Sequence, residues 1–125
     1  MQEISYQKIF DCLLPVLPDD WKKAVFYAEY SEGSYSMKYY VDSGDGDYID
    51  CFSTGISKSR IIHAFLEIDK EIAPIRNSLS TKDLWSVMTL TVSSSGEFNA
   101  DYDYEQVTDS IEYFRKWETR YLRKQ

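Results

Sequence analysis

Hydrophobic residues in the first half of the chain recur first at helical spacing and then in short strand-like runs. Ile4, Ile9, Phe10 and Leu13 return about once per helical turn, which predicts a helix over residues 4–14 that ends before Pro15. Beyond the polar PDDW corner, three runs rich in Val, Tyr, Phe and Ile are separated by EGS and SGDGD: KAVFYAEYS, SYSMKYYV and DYIDCFS. These runs predict a three-stranded antiparallel meander.

The second half continues with a helix, a hairpin and another helix. Ser57 offers an N-cap to a helix that we expect to end near Pro74, since apolar residues recur every three or four positions between them. WSVMTLTVS and EFNADYDY flank an SSG turn in which Gly96 permits a positive φ, which predicts a hairpin. From Asp109 onward, apolar residues again follow helical spacing: Ile111, Phe114, Trp117, Tyr121 and Leu122.

The predicted fold is therefore α+β. It has an N-terminal helix and an antiparallel sheet of about five strands, a meander followed by a hairpin, with the central and C-terminal helices packed on the sheet. The chain has 125 residues, of which 43% are hydrophobic, so residues 1–125 are expected to form one domain with one main core.

The charge of the chain limits the kinds of partner that it can bind. The formal net charge is −7, and residues 1–114 hold 9 basic and 20 acidic side chains, a balance of 9 − 20 = −11. Such an acidic body disfavours binding to nucleic acid or to anionic membranes, and it favours a partner with a basic surface. The N-terminus lacks a signal-peptide pattern and no run of residues is long and apolar enough to span a membrane, so we expect a cytoplasmic protein.

Cysteine and histidine give no sign of catalysis or metal binding. Cys12 and Cys51 have no CxxC or Cys/His spacing, so we expect two reduced, buried thiols. His63 is the only histidine, and Glu67 at i+4 is expected to face the same solvated surface without orienting it. We therefore predict no catalytic residue, no bound metal and no cofactor.

An acidic loop follows the second predicted strand. The residues from Asp42 to Asp47 resemble a calcium loop, but Gly44 and Gly46 occupy ligand positions and Ser53 stands where a bidentate Glu is needed. A flexible acidic hairpin turn is favoured over a weak metal site, and the functional interpretation of the loop is an exposed acidic surface for a basic partner. The partner-binding residues predicted here are Asp42, Asp45, Asp47, Tyr48 and Asp50.

A second acidic segment is ADYDYE, where acids and tyrosines alternate. Period-two geometry places the acids on one face of the strand and the tyrosines on the other. Partner binding and a solvated strand face are equally compatible with this pattern, and a small metal-dependent hydrolase using the three acids is an alternative. The partner-binding residues predicted here are Asp101, Tyr102, Asp103, Tyr104 and Glu105.

The large number of tyrosines supports a role in binding a protein partner, because tyrosine gives interfaces a large contact area at little cost in rotamer entropy. The predicted meander alone carries six of them, some of which will be core residues: Tyr27, Tyr30, Tyr35, Tyr39, Tyr40 and Tyr48.

Two segments carry a resemblance to a known family. W-x-x-x-x-x-Y-A-E-x-S-E-G runs from Trp21 to Gly33, and G-x-F-x-x-D-Y-D-Y-E runs from Gly96 to Glu105. With ISKSRIIHAF between them, they resemble the YezG-like immunity proteins, or antitoxins, over nearly the whole chain. The resemblance implies a cytoplasmic, non-enzymatic protein that neutralises a cognate secreted toxin, often a nuclease, by tight binding. A generic protein-interaction domain remains an alternative.

Overall fold

The computed structural model describes residues 3–122. In chain order, its helices and strands are α1 (Tyr6–Leu13), β1 (Lys23–Ser31), β2 (Ser34–Asp42), β3 (Tyr48–Asp50), α2 (Lys58–Asn77), β4 (Val87–Ser93), β5 (Phe98–Asp103) and α3 (Ser110–Tyr121). Single 3₁₀ turns lie at Leu14–Val16, Cys51–Ser53 and Thr81–Asp83.

The five strands form one antiparallel sheet in the order β3-β2-β1-β4-β5. The β1–β2 hairpin turns at Gly33, with a φ of 76°, and the β4–β5 hairpin turns near Gly96, with a φ of 96°. Glycine adopts these values without the steric cost that other residues meet. The predicted meander, hairpin and α+β class are confirmed.

Helices α1 and α2 cover one face of the sheet. Ser57 accepts a hydrogen bond from the Arg60 amide, as its predicted N-cap role requires. The apolar stripe of α2 then packs over β1 and β2, where the Phe65 ring meets Tyr39 at 6.0 Å. The most deeply buried residues of this main core include Ile9, Leu13, Phe26, Tyr39, Ile61, Ile68, Ile72, Met88 and Leu90.

Helix α3 covers the opposite face, so the sheet lies between two helical layers. Asp109 caps the helix by accepting a hydrogen bond from the Glu112 amide. Trp117 is 3% exposed and packs edge-on against Tyr27, with ring centroids 5.0 Å apart. This second, smaller core contains Val25, Tyr27, Tyr40, Val87 and Trp117.

Several predicted boundaries differ from the structure. The first helix ends at Leu13, and Pro15 lies in the 3₁₀ turn that follows it. The third strand is limited to Tyr48–Asp50, because the Asp50 carboxylate accepts a hydrogen bond from the Phe52 amide and caps another 3₁₀ turn.

Helix α2 continues past Pro74 to Asn77, where the sequence predicted it to end near the proline. A proline removes the hydrogen bond to the carbonyl four residues earlier, but it does not prevent the residues after it from being helical. Arg76 holds this last turn in place, since its Nε atom donates to the Trp85 carbonyl at 2.8 Å. Within the described part of the chain, no helix is long and apolar enough to cross a membrane.

Candidate partner-binding surface

The acidic loop between β2 and β3 is held by its own hydrogen bonds. The Asp42 carboxylate accepts from the amides of Gly44 and Gly46, at 2.8 and 3.0 Å, and Asp45 accepts from the Asp47 amide at 3.0 Å. These amides, that of Gly44 first, lower the pKa of Asp42 because they stabilise the ionised carboxylate. The aspartates therefore determine the conformation of the loop as well as its negative charge.

Tyr48 and Asp50 lie on the α3 face of the sheet. Asp50 pairs with Tyr40, whose ring packs against Trp117 of α3 with centroids 5.6 Å apart. Tyr48 is half-buried beside the second core, and burial raises its pKa. A groove of about 560 Å³ separates this edge of the sheet from α3, and its lining includes Lys38, Tyr48, Asp50, Phe114 and Glu118.

On β5, the acids and the tyrosine point to opposite faces, as the alternation predicted. The hydroxyl of Tyr121 donates to Asp101 at 3.0 Å, and that of Tyr113 donates to Asp103, so both carboxylates face α3. Tyr102 points to the other face, where its hydroxyl lies 2.5 Å from that of Tyr6. The acidic face of β5 is thus partly covered by α3.

Tyr104 and Glu105 do not continue this alternation, because β5 ends at Asp103. The prediction that Glu105 shares a strand face with the two aspartates is wrong for this reason. Both residues are exposed, Tyr104 by 59%. They border a second groove of about 600 Å³ between the β5–α3 connection and the helix, which also includes Asp109, Lys116 and Arg120.

The two acidic segments lie at opposite corners of the sheet. Asp42 pairs with Lys23 at one end of β1, whereas Asp103 is aligned through Val87 with Glu29 near the other end. Three strand spacings and six residues along a strand separate Asp42 from Asp103, which corresponds to roughly 25 Å. Because α3 crosses the face between them, one groove lies on each side of that helix.

His63 is exposed on α2, as predicted. Its Nε2 atom lies 4.0 Å from Glu67, a carboxylate that Lys70 contacts more closely at 3.0 Å. This contact with Lys70 lowers the pKa of Glu67. Among residues 3–122, no three His, Cys, Asp or Glu side chains are grouped so that they could hold a metal ion.

The prediction that both cysteine thiols are buried is confirmed for one of them. Cys51 is buried, and desolvation raises its pKa to about 11, whereas Cys12 is only partly buried. A thiol with a raised pKa is a poor nucleophile at neutral pH, since the thiolate is the reactive form. Neither cysteine is in a disulfide.

Sequence reasoning missed the donors that orient the acids of β5. Both donors lie on α3, where the helical spacing assigned Tyr121 to the apolar face and did not single out Tyr113. Burial, together with the hydrogen bonds to Asp103 and Asp101, raises the pKa of both phenols. Their eight-residue separation on one helix was the available signal, because it places both on the same side.

Comparison with known proteins gives a consistent result. A family model described as "Immunity protein YezG-like" matches residues 1–124. The chain is similar to Immunity protein YezG of Bacillus subtilis (strain 168), with 28% identity over 98% of this chain and 87% of that protein. It is also similar to Immunity protein YezG of Bacillus spizizenii, with 22% identity over 84% of this chain and 70% of that protein. The chain belongs to the YezG-like immunity protein family.

Proposed function

We propose that this protein binds a cognate secreted toxin in the cytoplasm and neutralises it by direct occlusion, and that the toxin is a nuclease with a basic surface. The family match over residues 1–124 is the observation that carries the proposal. The net charge of −7 supports the choice of a basic partner, since acidic surfaces steer association with cationic active sites.

The acidic loop and the acids of β5 are the contact points in this proposal. Asp42 is fixed by two backbone amides, and Asp101 and Asp103 are oriented by tyrosine hydroxyls. Carboxylates that are already ordered lose little side-chain entropy when a partner binds. Lysine or arginine side chains of the toxin reach them through the grooves on either side of α3.

A single interface is large enough to include both segments. An interface of about 800 Å² per partner is roughly 30 Å across, and Asp42 and Asp103 are roughly 25 Å apart. A toxin domain centred on α3 therefore contacts both acidic segments at its edges. Exposed residues of α3, such as Lys116 and Glu118, then lie within the interface.

The alternative of a metal-dependent hydrolase has less support. Asp101 and Asp103 each accept a tyrosine hydroxyl, and Glu105 lies beyond the end of the strand that carries them. A generic interaction domain differs from the proposed inhibitor in one measurable property, since it lacks a tight partner whose association rate falls steeply with salt.

Co-expression tests the proposal. A candidate toxin domain is taken from a gene for a secreted protein adjacent to the gene for this chain. It is expressed in cells with and without the protein, and complex formation is measured with purified material. We expect restored growth and a Kd of about 1 nM or lower, as suppression of a lethal enzyme requires. Equal killing with and without this protein would show that it is not the antitoxin of that toxin.

Variants that remove charged side chains test which residues contact the toxin. We expect the double variants Asp45→Asn, Asp47→Asn and Asp101→Asn, Asp103→Asn each to slow association and flatten its salt dependence, because long-range attraction is lost. The double variant Asp11→Asn, Glu67→Gln is the matched control, because it removes two carboxylates from α1 and α2 on the opposite face of the sheet, and it should do neither. Stopped-flow association at two ionic strengths measures the effect, and unchanged rates in both double variants would place the interface elsewhere.

A further inference from the structure

Strand β5 is an outer strand of the sheet whose second edge has no partner strand in the described part of the chain. Two hydrogen bonds define which backbone groups point inward. The Ser93 amide donates to the Glu97 carbonyl at 2.8 Å, and the Ser86 amide donates to the Asp103 carbonyl at 2.7 Å. Because backbone groups alternate along a strand, those of Asn99 and Asp101 also point to β4.

The intervening residues point away from the sheet. Phe98, Ala100 and Tyr102 therefore direct their amides and carbonyls outward along the free edge. All three are at least partly exposed, and Phe98 is 60% exposed. This edge is six residues long, whereas the opposite edge strand, β3, has three residues.

The two sides of the edge differ in chemistry. On the α1 side, the Phe98 ring lies 5.7 Å from that of Tyr6, which forms an exposed aromatic surface. On the α3 side, Asp101 and Asp103 point into the space beneath the helix. A strand added to this edge would alternate in the same way, with apolar residues over Phe98 and basic residues beside the aspartates.

We propose that the toxin contributes an extended segment that pairs with the free edge of β5, with apolar and basic side chains alternating along it. This inference rests on the proposed immunity function and specifies how the partner is recognised. Strand addition supplies affinity through backbone hydrogen bonds and specificity through alternate side chains.

The charges on β5 argue against a second copy of this chain as the occupant. Antiparallel pairing of two β5 strands would bring the aspartates of both copies onto one face, and facing like charges destabilise strand pairs. The edge carries neither lysine nor proline, the residues that commonly protect an exposed edge from other strands. Its acids therefore discourage self-association and favour a basic strand.

Amide hydrogen exchange measured by NMR tests the proposal on the intact protein. In the free protein, we expect the amides of Phe98, Ala100 and Tyr102 to exchange much faster than those of Asn99 and Asp101, which are bonded to β4. On addition of the candidate toxin domain, the outward amides of Ala100 and Tyr102 should become protected. Outward amides that stay unprotected in a formed complex would overturn the inference and leave the immunity function standing.

Two variants of Ala100 supply a second measurement. Ala100→Pro removes only an outward amide and obstructs an approaching strand, a position at which edge strands tolerate proline. We expect the Kd of the Ala100→Pro variant for the toxin to rise by about tenfold or more. A tenfold rise in Kd corresponds to the loss of about one to two hydrogen bonds. Ala100→Ser keeps the amide and should bind like the unmodified protein.

The outcomes separate the two proposals. Circular dichroism first establishes that both variants are folded. Unchanged binding by a folded Ala100→Pro variant would contradict strand addition while the antitoxin role survives. Protection of the outward amides in the protein alone at high concentration would instead identify a second copy as the occupant. If the unmodified protein does not bind the toxin domain, the proposed function fails and this inference fails with it.

Discussion

Trp117 donates a 2.8 Å hydrogen bond from its indole nitrogen to the hydroxyl of Thr89 in the middle of β4. Both residues are 3% exposed, so neither group has water as a substitute partner. This bond and the packing of Trp117 against Tyr27 and Tyr40 together position α3 on the sheet. The helix in turn positions the tyrosines that orient the acids of β5.

We predict that Thr89→Val destabilises the protein by about 1–3 kcal/mol, because the isosteric side chain leaves a buried indole N–H without an acceptor. Thr91→Val is the matched control, since Thr91 lies two residues along the same strand face and is only partly buried. Urea unfolding measures both. Equal stability of the Thr89 variant and the unmodified protein would show that the bond contributes nothing.

Acid should weaken the loop that Asp42 organises. The pKa of Asp42 is lowered by the Gly44 and Gly46 amides, so its contribution to stability is present above the unfolded pKa of about 3.9. That contribution is lost as the pH falls through the lower, folded pKa. We expect Asp42→Asn, which keeps an acceptor oxygen, to show a shallower loss of stability below about pH 4.

The measurement is urea unfolding between about pH 2 and pH 6, compared for the two proteins. Asp42→Ala is a useful third protein, because it removes the acceptor and should be less stable over the whole range. Identical acid dependence of the unmodified protein and the Asp42→Asn variant would assign the acid sensitivity to other carboxylates.

Alkali should unfold the protein through its buried phenols. Burial, followed by a hydrogen bond to a carboxylate, raises the pKa of Tyr27, Tyr30 and Tyr113. A raised folded pKa gives stability that is complete below the unfolded value of about 10 and is lost as the pH rises above it. We expect fewer than the 11 tyrosines to ionise before the chain unfolds.

Tyrosinate absorbance and circular dichroism, followed together during a titration with base, test this expectation. Tyr113→Phe should unfold at higher pH than the unmodified protein, because one phenol no longer favours the unfolded state. If all tyrosines ionise while the circular dichroism signal is unchanged, the phenols are not protected by the fold.

The isolated protein should not hydrolyse nucleic acid. Its only histidine is exposed on α2, and two of the three acids of ADYDYE are engaged by tyrosine hydroxyls. We expect DNA and RNA to remain intact after incubation with the protein and Mg²⁺, Mn²⁺ or Ca²⁺. Cleavage that disappears in an Asp101→Asn, Asp103→Asn variant would support the hydrolase alternative.

The order and type of elements could be predicted from the sequence because the patterns are local. Apolar spacing located three helices, and the Gly33 and Gly96 turns located two hairpins. Period-two alternation also placed Asp101 and Asp103 on one face of β5. These properties depend on neighbouring residues along the chain, which a single sequence displays.

Features that depend on distant residues could not be predicted in this way. The persistence of α2 past Pro74 depends on Arg76, whose guanidinium lies over the rings of Tyr30 and Trp85 at 5.2 and 5.4 Å. The cover that α3 places over the β5 acids depends on how the helix crosses the sheet. The separation of the two acidic segments likewise follows from the order of the strands in the sheet. The spacing of residues along the chain does not predict that order.

The separate position of α3 on its own face of the sheet has a consequence for partial unfolding. The five strands with α1 and α2 form the main core, so α3 can detach from the sheet while that core stays intact. While α3 is detached, the face that carries Val25, Tyr27, Tyr40 and Val87 is open to solvent. A molecule in this partly unfolded state presents an uncovered aromatic surface to chaperones and proteases, and the return of α3 closes it.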